Sequence, residues 1–150
     1  MNVYNMKEYF DKNPESIPYL NRLEKEWREH GKIIIAVDFD DTISPWNMKE
    51  FDFKRVIDLL IRARETGAYI VIFSACSPER FPEIKEYCSS RGLDIDAINE
   101  NPIPLPYGKN GKVYANIFID DRAGLNESIQ ILEFAMYKIK GSKNTPMYDF

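Results

Sequence analysis

Apolar residues recur at two different spacings along this chain, and the two alternate in a way that predicts an α/β protein. Residues 1–13 show no clear period. From Pro14 onward, Ile17, Leu20, Leu23 and Trp27 fall at helical spacing with charges between them, which predicts an amphipathic helix ending near His30–Gly31. The run from Lys32 to Val37 is almost wholly apolar and β-branched, the pattern of a strand buried on both faces. Phe53–Thr66 returns to helical spacing and stops at Gly67, and Tyr69–Phe73 predicts a second buried strand. Ser77–Pro78 opens a helix that runs to about Ser90 and closes at Gly92. Leu93–Ile98 and Ala115–Ile119 predict two further strands, and Asn126–Lys138 a closing helix stopped by Gly141. Strands alternating with helices predict a parallel sheet with right-handed crossovers.

In open sheets of this kind ligands bind at the carboxyl ends of the strands, so chemistry is sought there. The first predicted strand ends in Asp38-Phe39-Asp40-Asp41-Thr42, the second in Ser74-Ala75-Cys76-Ser77, the third in Asn99-Glu100-Asn101, and the fourth in Asp120-Asp121-Arg122. Carboxylates crowded at one edge are costly unless a cation neutralises them. The donors are all oxygen, which predicts a hard ion, magnesium before calcium or zinc. A carboxylate beside a metal-bound phosphate is a competent nucleophile. The lysines that would relieve repulsion between the two anions are Lys109 and Lys112, flanking an Asn110-Gly111 turn signal that predicts a small hairpin. Lys112 is nearer the fourth strand and is favoured, although a hairpin would leave the choice between the two open.

These motifs resemble those of the haloacid dehalogenase (HAD) superfamily of phosphohydrolases, over about Ile33 to Ala123. The strand running into DFDDT looks like its first motif, Ser74 like its second, Lys112 like its third and Ile119-Asp-Asp121 like its fourth. The resemblance implies a three-layer Rossmann-like fold, a parallel sheet with helices on both faces. It also implies a magnesium-dependent phosphatase with Asp38 as nucleophile and Asp40 as general acid and base. Ser74, Lys112 and Thr42 would be the phosphate-binding residues. Asp38, the main-chain carbonyl of Asp40, Asp120 and Asp121 would hold the metal. The loops between motifs are too short for the usual cap, so the chain looks like a minimal, capless member. Transfer of the phosphoryl group to an acceptor other than water, or a silent phosphate- and metal-binding module, are the alternatives.

Composition narrows the setting. The chain has 150 residues, 44% of them hydrophobic and 29% charged, which suits one globular domain. Within it, residues 1–31 read as a helical extension, about 32–140 as the core and 141–150 as a tail. A formal net charge of −4 gives no general pull toward nucleic acid or anionic membrane. The substrate is expected to be a phosphorylated small molecule, a nucleotide or a nucleic-acid end. No signal-like segment opens the chain and no apolar run is long enough for a membrane span, so a cytoplasmic location is expected, with Cys76 and Cys88 reduced. Cys76 reads as a spectator and His30 as a helix-end residue. Trp46 reads as a lid on the next helix, in preference to a surface on which a base or sugar stacks. Asn99, Glu100 and Asn101 are either leaving-group contacts or turn residues. The apolar face of the N-terminal helix either packs on the core or mediates a homodimer.

Overall fold

In the computed structural model, which describes residues 3–49, 52–105 and 113–141, the apolar run Ile33–Val37 forms a strand (β1) buried at every position. It is flanked by α1 (Val3–Lys12) and α2 (Ile17–His30) before it, and by α3 (Phe53–Glu65), β2 (Ala68–Ile72) and α4 (Phe81–Ser90) after it. The chain continues through β3 (Ala97–Ile98), β4 (Ile117–Ile119) and α5 (Leu125–Gly141). The sheet is parallel throughout, in the order β3-β2-β1-β4. Connections move one way from β1 to β3, and β4 then returns to the other side of β1. The carboxyl ends of β1 and β4 therefore form the topological switch point, where ligands bind in such sheets.

The architecture is α/β, three-layer and Rossmann-like. Residue alternation along the strands sorts the apolar side chains into two layers. Ile33, Ile35 and Val37 join apolar residues of all five helices in the main core. Ile34 and Val71 join Val113, Leu105 and Tyr114 on the other face. In the described residues that second layer is the long connection between β3 and β4 itself, where Pro102 and Pro104 interrupt any helix.

Both lateral strands are shorter than the sequence suggests, because polar side chains take over from the backbone ladder. Asn116 Oδ1 accepts from Ile34 N at 2.7 Å, in place of a residue of β4. Asp96 Oδ2 accepts from Ile70 N at 2.8 Å, in place of a residue of β3. At the top of β2, Asn99 accepts from Ser74 N and donates to Ser74 O, both at 2.8 Å.

The N-terminal segment without visible period is in fact the helix α1. Only Met6 and Phe10 of its described side chains are buried, and one i,i+4 pair is too little apolar signal to read. Phe10 packs on Phe134 of α5, with ring centroids 5.5 Å apart. On the apolar face of α2, Leu20, Leu23 and Trp27 are buried within the chain and Ile17 packs partly buried against the same core. Between α2 and α5, the wholly buried Glu24 meets Lys138 at 2.9 Å and Arg28 at 3.1 Å. Arg62 grips Glu133 through two bonds of 2.9 and 2.8 Å and fastens α3 to α5. Gly67 joins α3 to β2 at φ 114°, where an added Cβ would stand 2.8 Å from Gly31 O, so only glycine fits. None of the described helices is long and apolar enough to cross a membrane.

Candidate functional site

Strand β1 ends where its backbone is pinned on both sides. Asp38 N donates to Ile119 O at 2.9 Å and Phe73 N donates to Val37 O at 2.8 Å, so Asp38 leaves the sheet between β2 and β4. The chain then turns back sharply. Asp41 takes a left-handed φ of 60°, tolerable for aspartate because its side chain bonds locally. Its Oδ1 accepts from the amides of Trp46, Asn47 and Met48 at 2.8, 2.8 and 2.9 Å. Those donors, Met48 first, hold the Asp41 carboxyl below the ordinary range. Helix α4 braces the same loop: Tyr87 donates to Ile43 O at 2.9 Å and stands edge-on to Phe39.

This brings three carboxylates together. One oxygen each from Asp38, Asp120 and Asp121 lie within 4.8 Å of one another. Thr42, fully buried, accepts from Asp121 N at 3.1 Å, and its hydroxyl stands 3.2 Å from Asp38 Oδ2 and 3.3 Å from Asp121 Oδ1. A hydroxyl has one proton to give, so it serves one of the two carboxylates at a time. The resemblance implies Thr42 as a phosphate-binding residue; in the structure its hydroxyl lies between Asp38 and Asp121. Burial first, and then the charge of Asp120, push the Asp38 carboxyl up from 3.8 to about 7. Among the described residues no basic side chain forms an ion pair with any of the three. The donor set among the described residues is thus all oxygen and preassembled, with no paired base, and it fits a hard divalent cation such as magnesium.

Asp40 does not join this trio through its side chain. Arg80 holds it through two bonds of 2.9 and 3.2 Å, with its guanidinium 5.7 Å from the Phe39 ring centre and 5.4 Å from that of Trp46. Asp40, Ser74, Trp46, Arg80 and the three carboxylates all line one cleft of about 800 Å³. Lys112, Lys109 and the hairpin expected around them lie outside the described residues.

Trp46 is no lid on the following helix: it is 61% exposed and lines the cleft, because the bonds to Asp41 hold its loop out over the strand ends. Asn99 is a clamp on the Ser74 backbone, at a left-handed φ of 56°, and Asn101 accepts from Tyr114 N at 3.1 Å. Sequence reasoning missed Arg80. Its signal was the position, in the short 3-10 turn (Pro78–Arg80) that leads into α4 beyond the end of β2.

No protein-family model matches this chain, and no curated protein matches it. A solved structure does: a conserved protein from Bacteroides thetaiotaomicron, with 27% identity and a TM-score of 0.56, covering 73% of this chain and 91% of that one. The likeness agrees with the α/β architecture described above.

Proposed function

We propose that the chain is a magnesium-dependent phosphatase that hydrolyses a phosphomonoester through a phosphoaspartate on Asp38. The observation that carries this reading is the cluster of Asp38, Asp120 and Asp121 at the switch point of the sheet, with Asp40 on the wall of the same cleft. Asp38, Asp120 and Asp121 would hold the ion, as the HAD resemblance also implies. The bound ion would lower the repulsion between carboxylate and phosphate.

An Asp38 carboxylate oxygen attacks phosphorus while the bond from phosphorus to the leaving-group oxygen breaks, and Asp40 gives that oxygen a proton. Water then attacks the same phosphorus, Asp40 takes its proton, and the bond to Asp38 breaks to release inorganic phosphate. Both oxygens of Asp40 are bonded to Arg80, so the ion pair is a resting arrangement. Arg80 yields an oxygen so that Asp40 takes up, before phosphoryl transfer, the proton it then gives to the leaving group. Ser74 lines the cleft and is the phosphate-binding hydroxyl of this reading, and Lys112, or Lys109 beside it, is the lysine. Cys76 and Cys88 are unbridged, in keeping with a cytoplasmic enzyme.

The test is phosphate release from p-nitrophenyl phosphate and nucleoside monophosphates, with magnesium or with chelator, beside Asp38→Asn. Release that needs magnesium and disappears in the variant is expected. Turnover by Asp38→Asn at the wild-type rate would overturn the proposal. Phosphate appearing on an added alcohol, with little released to water, would change the acceptor but keep Asp38 as nucleophile.

A further inference from the structure

A single exposed tryptophan is unremarkable on a protein surface, but Trp46 is exposed on a loop built to hold it. One buried carboxylate, that of Asp41, takes the amides of Trp46 and the two residues after it, which fixes the backbone that carries the ring. The guanidinium of Arg80 lies over the ring, 5.4 Å from its centre, and is itself stacked on the buried Phe39. Trp46 lines the cleft with 61% of the residue exposed, so indole surface is open there. Phe73, 41% exposed, lines the same cleft and adds a second apolar wall. Open indole surface beside a phosphate site suits a planar ring, because base-on-aromatic stacking needs only a π-face.

Spacing then limits which ring. Arg80 touches Asp40 at 2.9 Å and its guanidinium lies 5.4 Å from the Trp46 ring centre, so one guanidinium bridges Asp40 and Trp46. A ring joined directly to the phosphate oxygen, as in an aryl phosphate, would stop short at Asp40. A ring carried on a spacer would reach Trp46, and in a nucleoside monophosphate the ribose is that spacer.

We propose that the open indole surface of Trp46 is the leaving-group subsite and takes a nucleobase, which makes the substrate a nucleoside monophosphate or the phosphorylated end of an oligonucleotide. This rests on the phosphatase reading, so its test is a binding measurement that needs no turnover. Adenosine 5′-monophosphate, ribose 5-phosphate, a 5′-phosphorylated tetranucleotide and a phosphotyrosine peptide would be titrated into the full chain carrying Asp38→Asn, with magnesium, by calorimetry. Adenosine 5′-monophosphate is expected to bind at least about tenfold tighter than ribose 5-phosphate. Adding Trp46→Ala should erase that difference and leave ribose 5-phosphate unchanged, and Trp46→Phe should keep most of it. Both nucleotide arms support the subsite, and the tighter of them names the source. Equal affinity for the two sugar phosphates would overturn the inference, as would a preference that survives Trp46→Ala. A phosphotyrosine peptide binding as tightly as the nucleotide, with the same dependence on Trp46, would overturn it too. Failure to bind either sugar phosphate would reach further and overturn the phosphatase reading beneath it.

Discussion

Charge is balanced differently at two places in this protein. Between α2 and α5, Glu24 is wholly enclosed but meets Lys138 and Arg28, so the chain supplies its own counter-charge. Burial alone would drive the Lys138 ammonium toward its neutral form and does lower it, with Glu24 pulling the other way. At the ends of β1 and β4, three carboxylates converge, and no basic side chain of the described residues pairs with them. Arg80, which lines the same cleft, is bound instead to Asp40. A pair closed on itself has a structural task, because removing either partner leaves a buried charge uncompensated. Among the described residues the second cluster is left open, and a bound cation or the lysines Lys109 and Lys112, which lie outside those residues, would supply its balance.

Substitution should separate the two regions. Asp38→Asn is expected to lower turnover by about 10⁴-fold or more, the scale found when a nucleophile is removed. In the metal-free protein at pH 8 it should also raise the melting temperature, since it removes a charge the fold disfavours. Glu24→Gln should do the reverse: a loss of about 3–5 kcal/mol in denaturant unfolding, with kcat of the folded enzyme unchanged.

Acidity sharpens the same contrast. The folded Asp38 carboxyl sits at about 7 against 3.8 when unperturbed, so folding favours its protonated form. That contribution is fully present below about pH 4 and is lost as pH rises through 7, amounting to roughly 2 kcal/mol once solvent screening is allowed for. Thermal melts with chelator should show this decline in the wild type but not in Asp38→Asn, and magnesium should cancel it. Thr42→Val should have the smallest effect, about 1–2 kcal/mol of stability from one lost hydroxyl. It should also raise the magnesium concentration needed for half-maximal activity.

Much of this was legible in the chain. The run Ile33–Val37 could only be a strand covered on both faces, and a strand so placed delivers Asp38 to the edge where ligands bind. The Asp120–Asp121 pair followed by the same logic from Ile117–Ile119. What escaped was set by contacts between residues distant in sequence. The ion pair of Asp40 with Arg80 joins positions 40 residues apart, and no local pattern announces it. The shortened strands β3 and β4 depend on Asp96 and Asn116 substituting side chains for backbone, which propensity does not register. Trp46 was misread because burial is the default for tryptophan, and only the bonds from Asp41 explain why it stands out.

The most direct test of the central claim is chemical trapping of the acyl phosphate. Enzyme quenched during magnesium-supported turnover would be reduced with borohydride, which converts a phosphoaspartate to homoserine, and its peptides would be mapped by mass spectrometry. Homoserine at position 38 alone, dependent on both substrate and magnesium, is the predicted result. Steady phosphate release with Asp38 unmodified, or reduction at Asp40, Asp120 or Asp121 in its place, would contradict the account.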